Sequence, residues 1–173
     1  MPKGARTNDA ILRDGLTAFY PRLWRFALML SGTRANADDL AQKACTRALE
    51  NADKFDPDSH LDRWLFTLTR RLWLNELRAD AVRRGNGLIA VEDAALISET
   101  LSPETNIFAA EVFNAVGTLP ESQRETVMLV YVEGYAYREA AQMLEVPIGT
   151  IMSRLAAARK AMAHRFRDLG EDG

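Results

Sequence analysis

Cysteine is almost missing from this chain. Of 173 residues only Cys45 carries a thiol, so no intrachain disulfide can form and no paired-cysteine redox or metal motif exists. Set in an apolar helical stretch, a lone cysteine is expected as a small buried hydrophobe. Histidine is nearly as scarce: His60 and His164 stand far apart and lack the spacing of metal ligands. No phosphate-cradling run of the GxxxxGK(S/T) or GxGxxG kind occurs. The adjacent acids Asp38/Asp39 and Glu92/Asp93 would not face each other on a helix, so paired acid–base catalysis finds no support. Ser153 has an arginine beside it but no His/Asp partnership that sequence can suggest. These shortages argue against an enzyme and against any metal or cofactor. Long apolar runs are missing too. The N-terminal MPKGARTND is no secretion signal, and no segment is long and apolar enough to span a bilayer. The chain is therefore expected to work in the cytosol, without membrane insertion.

What is there fits one or two small helical domains. Apolar residues make up 47% and charged residues 27%, a composition able to bury a modest core in each. The net charge of −2 would argue against nucleic acid were it evenly spread. It is not: from Gly85 to Gln123 there are six acids and no Lys or Arg, while the arginines lie on either side. Two cationic segments flanking an acidic bridge are hidden inside a near-zero sum.

Apolar periodicity calls for helices throughout. Residues 1 to 7 should fray. From about Asn8 to Leu30 the apolar residues Ile11, Leu12, Leu16, Phe19, Leu23, Phe26, Ala27 and Leu30 recur, giving a helix or two interrupted near Pro21 and ended by Ser31-Gly32. The next helix begins near Asn36, with Asp38 and Asp39 where the dipole favours negative charge, and runs to about Ala52. Lys54 to His60 is a loop, with Ser59 as the expected N-cap of a helix over about Leu61–Arg83. That helix carries two apolar stripes: Leu61, Trp64, Leu65, Leu68 and Leu72 on one side, Phe66, Trp73 and Leu77 on the other. On geometry alone it is a central bundle helix packed on two sides, its arginines snorkelling to water, with Trp64 and Phe66 in the core.

Residues 85–101, GNGLIAVEDAALISETL, break the pattern and form an acidic linker. Ser102-Pro103-Glu104 starts a helix to about Val116, and Leu119-Pro120 begins another ending at Gly134. Gly134 to Arg167 then gives a short helix (about Tyr137–Leu144), a turn at Glu145-Val146-Pro147, and a long basic helix. In the last, Ile151, Leu155, Ala158, Met162 and Phe166 would bury one stripe. Gly149, Ser153, Ala157, Lys160 and His164 would point outward. Arg154, Arg159, Lys160, Arg165 and Arg167 supply five cations with no carboxylate between Pro147 and Arg167. Two helices joined by a short turn match the helix-turn-helix plan, whose second helix enters the DNA major groove.

The wording of this stretch resembles a known family. Gly134-Tyr-Ala-Tyr-Arg-Glu-Ala-Ala, Val146-Pro-Ile-Gly-Thr-Ile-Met-Ser-Arg-Leu and Ala158-Arg-Lys-Ala are similar to the fourth conserved region of bacterial sigma factors, most closely the extracytoplasmic-function group. Asp38-Asp-Leu-Ala-Gln-Lys-Ala44 with Arg47-Ala-Leu resembles the second conserved region, written around DLxQE. Lys54-Phe-Asp-Pro and Trp64 to Arg78 resemble the segment that handles the minus-ten promoter element. The resemblance implies an all-α protein of two small domains, 8–84 and 102–168, joined by a flexible acidic linker that in this group threads into the polymerase. It implies binding to core RNA polymerase through Asp39, Leu40 and Gln42. Non-template-strand contacts would come from Phe55, His60, Arg63, Arg70, Arg71 and Asn75, and minus-thirty-five contacts from Arg138, Thr150, Ser153, Arg154 and Lys160. Arg154 and Arg159 flank the apolar stripe and are also candidates for packing or intradomain salt bridges. Partners are thus core RNA polymerase, promoter DNA and an anti-sigma factor.

Four residues depart from the family pattern. Met152 stands where a basic residue is common, Ala157 where another Arg is frequent, Lys43 where an acid follows the Gln, and bulky Trp73 where a smaller residue is usual. Met152 and Ala157 keep open a second reading, a sigma-like decoy that captures an anti-sigma factor. A helix-turn-helix repressor is a third reading that leaves the N-terminal resemblance unexplained.

Overall fold

The computed structural model describes residues 7–84 and 107–171, with side chains placed for 7–84 and 111–167. The linker and the Ser102-Pro103 helix start lie outside these. Every element among the described residues is helical: α1 (Asn8–Ser31), α2 (Arg34–Glu50), α3 (Leu61–Arg83), α4 (Ile107–Gly117), α5 (Glu121–Val127), α6 (Tyr137–Leu144) and α7 (Ile148–Glu171). The chain forms two compact units, Met1–Ala27 with Ala35–Ile89, and Leu28–Arg34 with Ala90–Gly173. No helix among the described residues is long and apolar enough to cross a membrane.

In the first unit α1 runs straight through Pro21 instead of breaking there. A proline inside a helix costs about 3 kcal/mol. Against that cost stands a continuous buried stripe of Leu12, Leu16, Phe19, Leu23 and Phe26, each fully buried large side chain contributing roughly 1.5–3 kcal/mol. Pro21 itself lies on the exposed side, so its ring meets water and the stripe decides. Phe66 of α3 packs edge-on against Phe19 and Phe26, centroids 5.0 and 4.8 Å apart. With Leu65 and Thr69 it forms the buried part of α3. Gly15 lets α1 approach α3: a Cβ there would stand 2.2 Å from Leu61 Cδ2.

Two local expectations change. α2 starts at Arg34, two residues early, so Asp38 and Asp39 fall beyond its first turn, where the dipole is felt least. Asp38 instead accepts the Trp24 indole N–H at 2.7 Å. The N-cap of α3 is His60, without a side-chain bond. The Ser59 hydroxyl closes the loop by donating to the Asp56 carbonyl at 2.6 Å.

In the second unit α5 and α6 pack on α7. Ile151, Leu155 and Ala158 of α7 are buried against a core that includes Val127, Met128, Leu129, Ala140, Met143 and Leu144. Met162 and Phe166 continue the stripe half-buried. Arg124 is buried and donates to the Gly117 carbonyl at 3.1 Å, capping the C-terminal end of α4. Burial lowers its pKa, and Glu121 opposes the shift. After α5 the chain makes a π-helical turn, Met128–Val132. There the Glu133 N–H donates to the Met128 carbonyl at 2.9 Å.

Candidate nucleic-acid interface

The helix-turn-helix is built from α6, a three-residue turn and α7. Glu139 accepts the Ala136 N–H at 2.9 Å, half of a capping box, since Ala136 has no oxygen to return the bond. Glu145 ends α6 in the left-handed region (φ 56), strain that a non-glycine residue bears for the sake of a tight turn. Pro147 follows, and its carbonyl accepts the Thr150 N–H at 2.9 Å as α7 begins. The turn puts α6 and α7 around an open groove of about 430 Å³, where Arg138 and Gln142 face Pro147 and Ile148.

The outward face of α7 follows the sequence expectation. Gly149, Ser153, Ala157, Lys160 and His164 are exposed, as is Arg138 on α6. Thr150 is half-buried, and its carbonyl accepts the Ser153 hydroxyl at 3.0 Å.

Arg154 sits differently from the other candidates. Its guanidinium donates to Glu125 Oε1 of α5 at 3.1 Å, with side-chain exposures of 20% and 4%. Position 154 falls at the edge of the stripe made by Ile151, Leu155 and Ala158, so the side chain meets α5. Among the alternatives open for Arg154, the geometry matches the intradomain salt bridge. Arg159 is likewise engaged, donating to the Tyr131 hydroxyl at 2.9 Å. The π-helical turn supports this contact by turning Tyr131 and Val132 outward while Met128, Leu129 and Val130 stay buried.

The expected single-strand face divides in the same way. Phe55 is 3% exposed and its ring lies tilted against that of Trp64, centroids 5.3 Å apart, so it anchors the α2–α3 loop and is turned into the protein instead of toward solvent. Asn8 fixes the same loop, donating to the carbonyls of Ala52 (3.1 Å) and Phe55 (2.8 Å). Nothing in the sequence marked Asn8 beyond its place at a helix start. His60, Arg71 and Asn75 are exposed, Arg63 and Arg70 half-buried, and Asn75 accepts from Arg78 at 3.1 Å.

On α2, Asp39 and Gln42 are exposed but Leu40 is 0% exposed and belongs to the core. At helical spacing Leu40 falls on the same buried face as Ala37, Ala41, Ala44 and Ala48, while Asp39 and Gln42 fall outside it. Lys43, the residue that departs from the family motif, bridges Asp39 on its own helix and Glu76 of α3 at 2.8 Å. Hydrogen bonds to Asp39 and Glu76 raise the Lys43 pKa. Asp39, Gln42, Lys43, Thr46, Arg47, Glu50 and Leu72 line an open groove of about 440 Å³ between α2 and α3.

Residues 16–83 match the sigma-70 region 2 family and residues 109–162 the sigma-70 region 4 family. The ECF RNA polymerase sigma factor EcfG of Rhodopseudomonas palustris (strain TIE-1) is 38% identical over 164 residues, covering 93% of this chain and 88% of that protein. SigW of Bacillus subtilis (strain 168), also an ECF RNA polymerase sigma factor, is 24% identical over 167 residues, covering 90% and 89%. The sigma factor RpoE of Bartonella quintana, solved in complex with the anti-sigma factor NepR, superposes with a TM-score of 0.76 at 28% identity, covering 90% of this chain and 96% of that one. Two sigma regions in their proper order, with full-length relatives, place this chain in the extracytoplasmic-function group of RNA polymerase sigma factors.

Proposed function

We propose that this chain is a transcription initiation factor that binds core RNA polymerase and directs it to particular promoters. The observation that carries this is the pair of family matches, 16–83 and 109–162, on one chain with the helix-turn-helix inside the second. In this reading residues 8–84 form the polymerase-binding and minus-ten domain, 85–101 the linker, and 102–168 the minus-thirty-five domain. The protein performs no catalysis of its own; the polymerase does. Asp39 and Gln42 are exposed at the rim of the α2–α3 groove and suit a basic, polar partner. Leu40 and Phe55 act from below, holding these surfaces in shape. His60, Arg63, Arg70, Arg71 and Asn75 lie along α3 and at its start, where cations meet phosphates and splayed bases find partners. On the second unit Arg138 and Lys160 bind phosphates, which position the domain, while the first turns of α7 meet base edges. The relative solved with an anti-sigma factor supports control of this chain by a protein of that class.

The test is promoter-dependent transcription. The purified chain is mixed with core polymerase and genomic DNA fragments, and start sites are mapped. Discrete start sites absent without the chain are expected. No start sites together with binding to an anti-sigma protein would instead make it a decoy, and duplex binding without polymerase a repressor.

A further inference from the structure

The part of α7 that a major groove would receive is almost devoid of groups that read bases by hydrogen bond. From Pro147 to Ala158 the only charged side chain is Arg154, and there is no Asn or Gln. Arg154 is turned to Glu125. The Ser153 hydroxyl proton is spent on the Thr150 carbonyl, leaving that oxygen as an acceptor. The bidentate pairings that select guanine or adenine are therefore unavailable to these turns.

What the helix offers instead is an exposed apolar row. Ile148, Met152 and Ala156 stand four residues apart on one side of α7. Ile148 is 46% exposed and Met152 55%, and Ala156 is exposed beside them. Gly149 next to the row has open space where a Cβ would be, so another surface can come close. Exposed Arg138 on α6, which lines one groove with Ile148, and exposed Lys160, the next residue of the row along α7, place positive charge at its two ends. An apolar strip framed by cations is complementary to the floor and walls of a DNA major groove. There the only apolar group a base pair displays is the thymine C5-methyl.

We propose that this protein reads its upstream promoter element through thymine methyl groups, with Met152 the principal specificity-determining residue and Ile148 its neighbour. This rests on the reading of the chain as a promoter-selecting sigma factor. The flexible thioether conforms to a methyl without a fixed hydrogen-bond geometry, and Lys160 and Arg138 hold the helix at the phosphates. Met152 supplies no sequence-independent charge. Its role is therefore selection among bases more than raw affinity.

Full-length chain with core RNA polymerase is used to select from a randomised duplex pool, and the selected upstream element is resynthesised with deoxyuridine replacing each thymidine in turn. Deoxyuridine keeps every hydrogen bond and removes only the methyl. The wild-type chain is expected to lose about fourfold in affinity at one or more such positions, the worth of one methyl-sized apolar contact. Met152→Ala, at an exposed site that leaves the fold intact, should lose the penalty at the same position. If no deoxyuridine matters, or if the penalty persists in Met152→Ala, the proposal is overturned while the sigma-factor reading stands. If the pool yields no preferred sequence at all, that reading fails and this one with it. If Met152→Ala keeps the sequence preference and the penalty but binds polymerase more weakly, the row is a protein-docking face, which also overturns the proposal.

Discussion

Arg154 gives the sharpest energetic test of how the second unit is built. Replacing it with methionine keeps much of its apolar volume and removes the donor to Glu125, whose side chain is 4% exposed. Removing one partner of a buried pair takes a counter-ion from a charge that stays out of water and costs about 3 kcal/mol. For a helical unit of this size that lowers the thermal midpoint by roughly 12–24 °C. Substituting leucine for Glu125 in the same chain should recover part of this, because two apolar residues no longer hold a carboxylate out of water. A double-mutant cycle should show coupling of about 1.5 kcal/mol or more. Far-UV circular dichroism in a urea titration is the assay. Tryptophan fluorescence is the internal control, since Trp24, Trp64 and Trp73 all precede the second unit's helices α4 to α7. Arg154→Met within about 0.5 kcal/mol of wild type, together with lost promoter recognition, would refute the brace. Arg154 would then be a DNA-facing cation.

Three further outcomes follow from the first unit. Phe55→Ala should cost about 3–5 kcal/mol, as expected for a buried aromatic, and equilibrium unfolding followed by tryptophan fluorescence checks it; a change under about 1 kcal/mol would mean the ring is free for DNA. Lys43→Glu restores the acid of the family motif but sets it beside Asp39 and Glu76, so stability should fall by about 1 kcal/mol or less for these half-exposed groups, with high salt erasing the difference. The Cys45 thiol is held above its ordinary pKa by burial. A raised pKa means less thiolate near pH 8, so a thiol reagent should react more slowly with native protein than with the urea-unfolded chain, and equal rates would contradict the burial.

Much of the architecture was legible from residue spacing. The bounds of α3 and α6 and the buried stripe of α7 follow from apolar periodicity, because a 3.6-residue repeat leaves one face that can enter a core. The helix-turn-helix was marked by Pro147 and by the small and basic residues that follow it. What spacing left open was the fate of polar and aromatic residues at the edge of a stripe. Leu40 and Phe55 sit among polar neighbours within motifs tied to binding, yet both are buried, since each completes a core assembled from other helices. Pro21 marked a break that the fold overrides.

By itself the amino-acid order determined the helical class, the two cationic segments and which side of α1, α2 and α7 turns inward, since these depend on neighbours within a few residues; for α3 it offered two stripes, and packing buried only the face of Leu65, Phe66 and Thr69. Only the tertiary structure decided which charges are spent inside the protein. Arg154 meets Glu125 across 29 positions and Lys43 meets Glu76 across 33. Such pairs are chosen by how helices register against one another, a property of the packed core that no local pattern encodes.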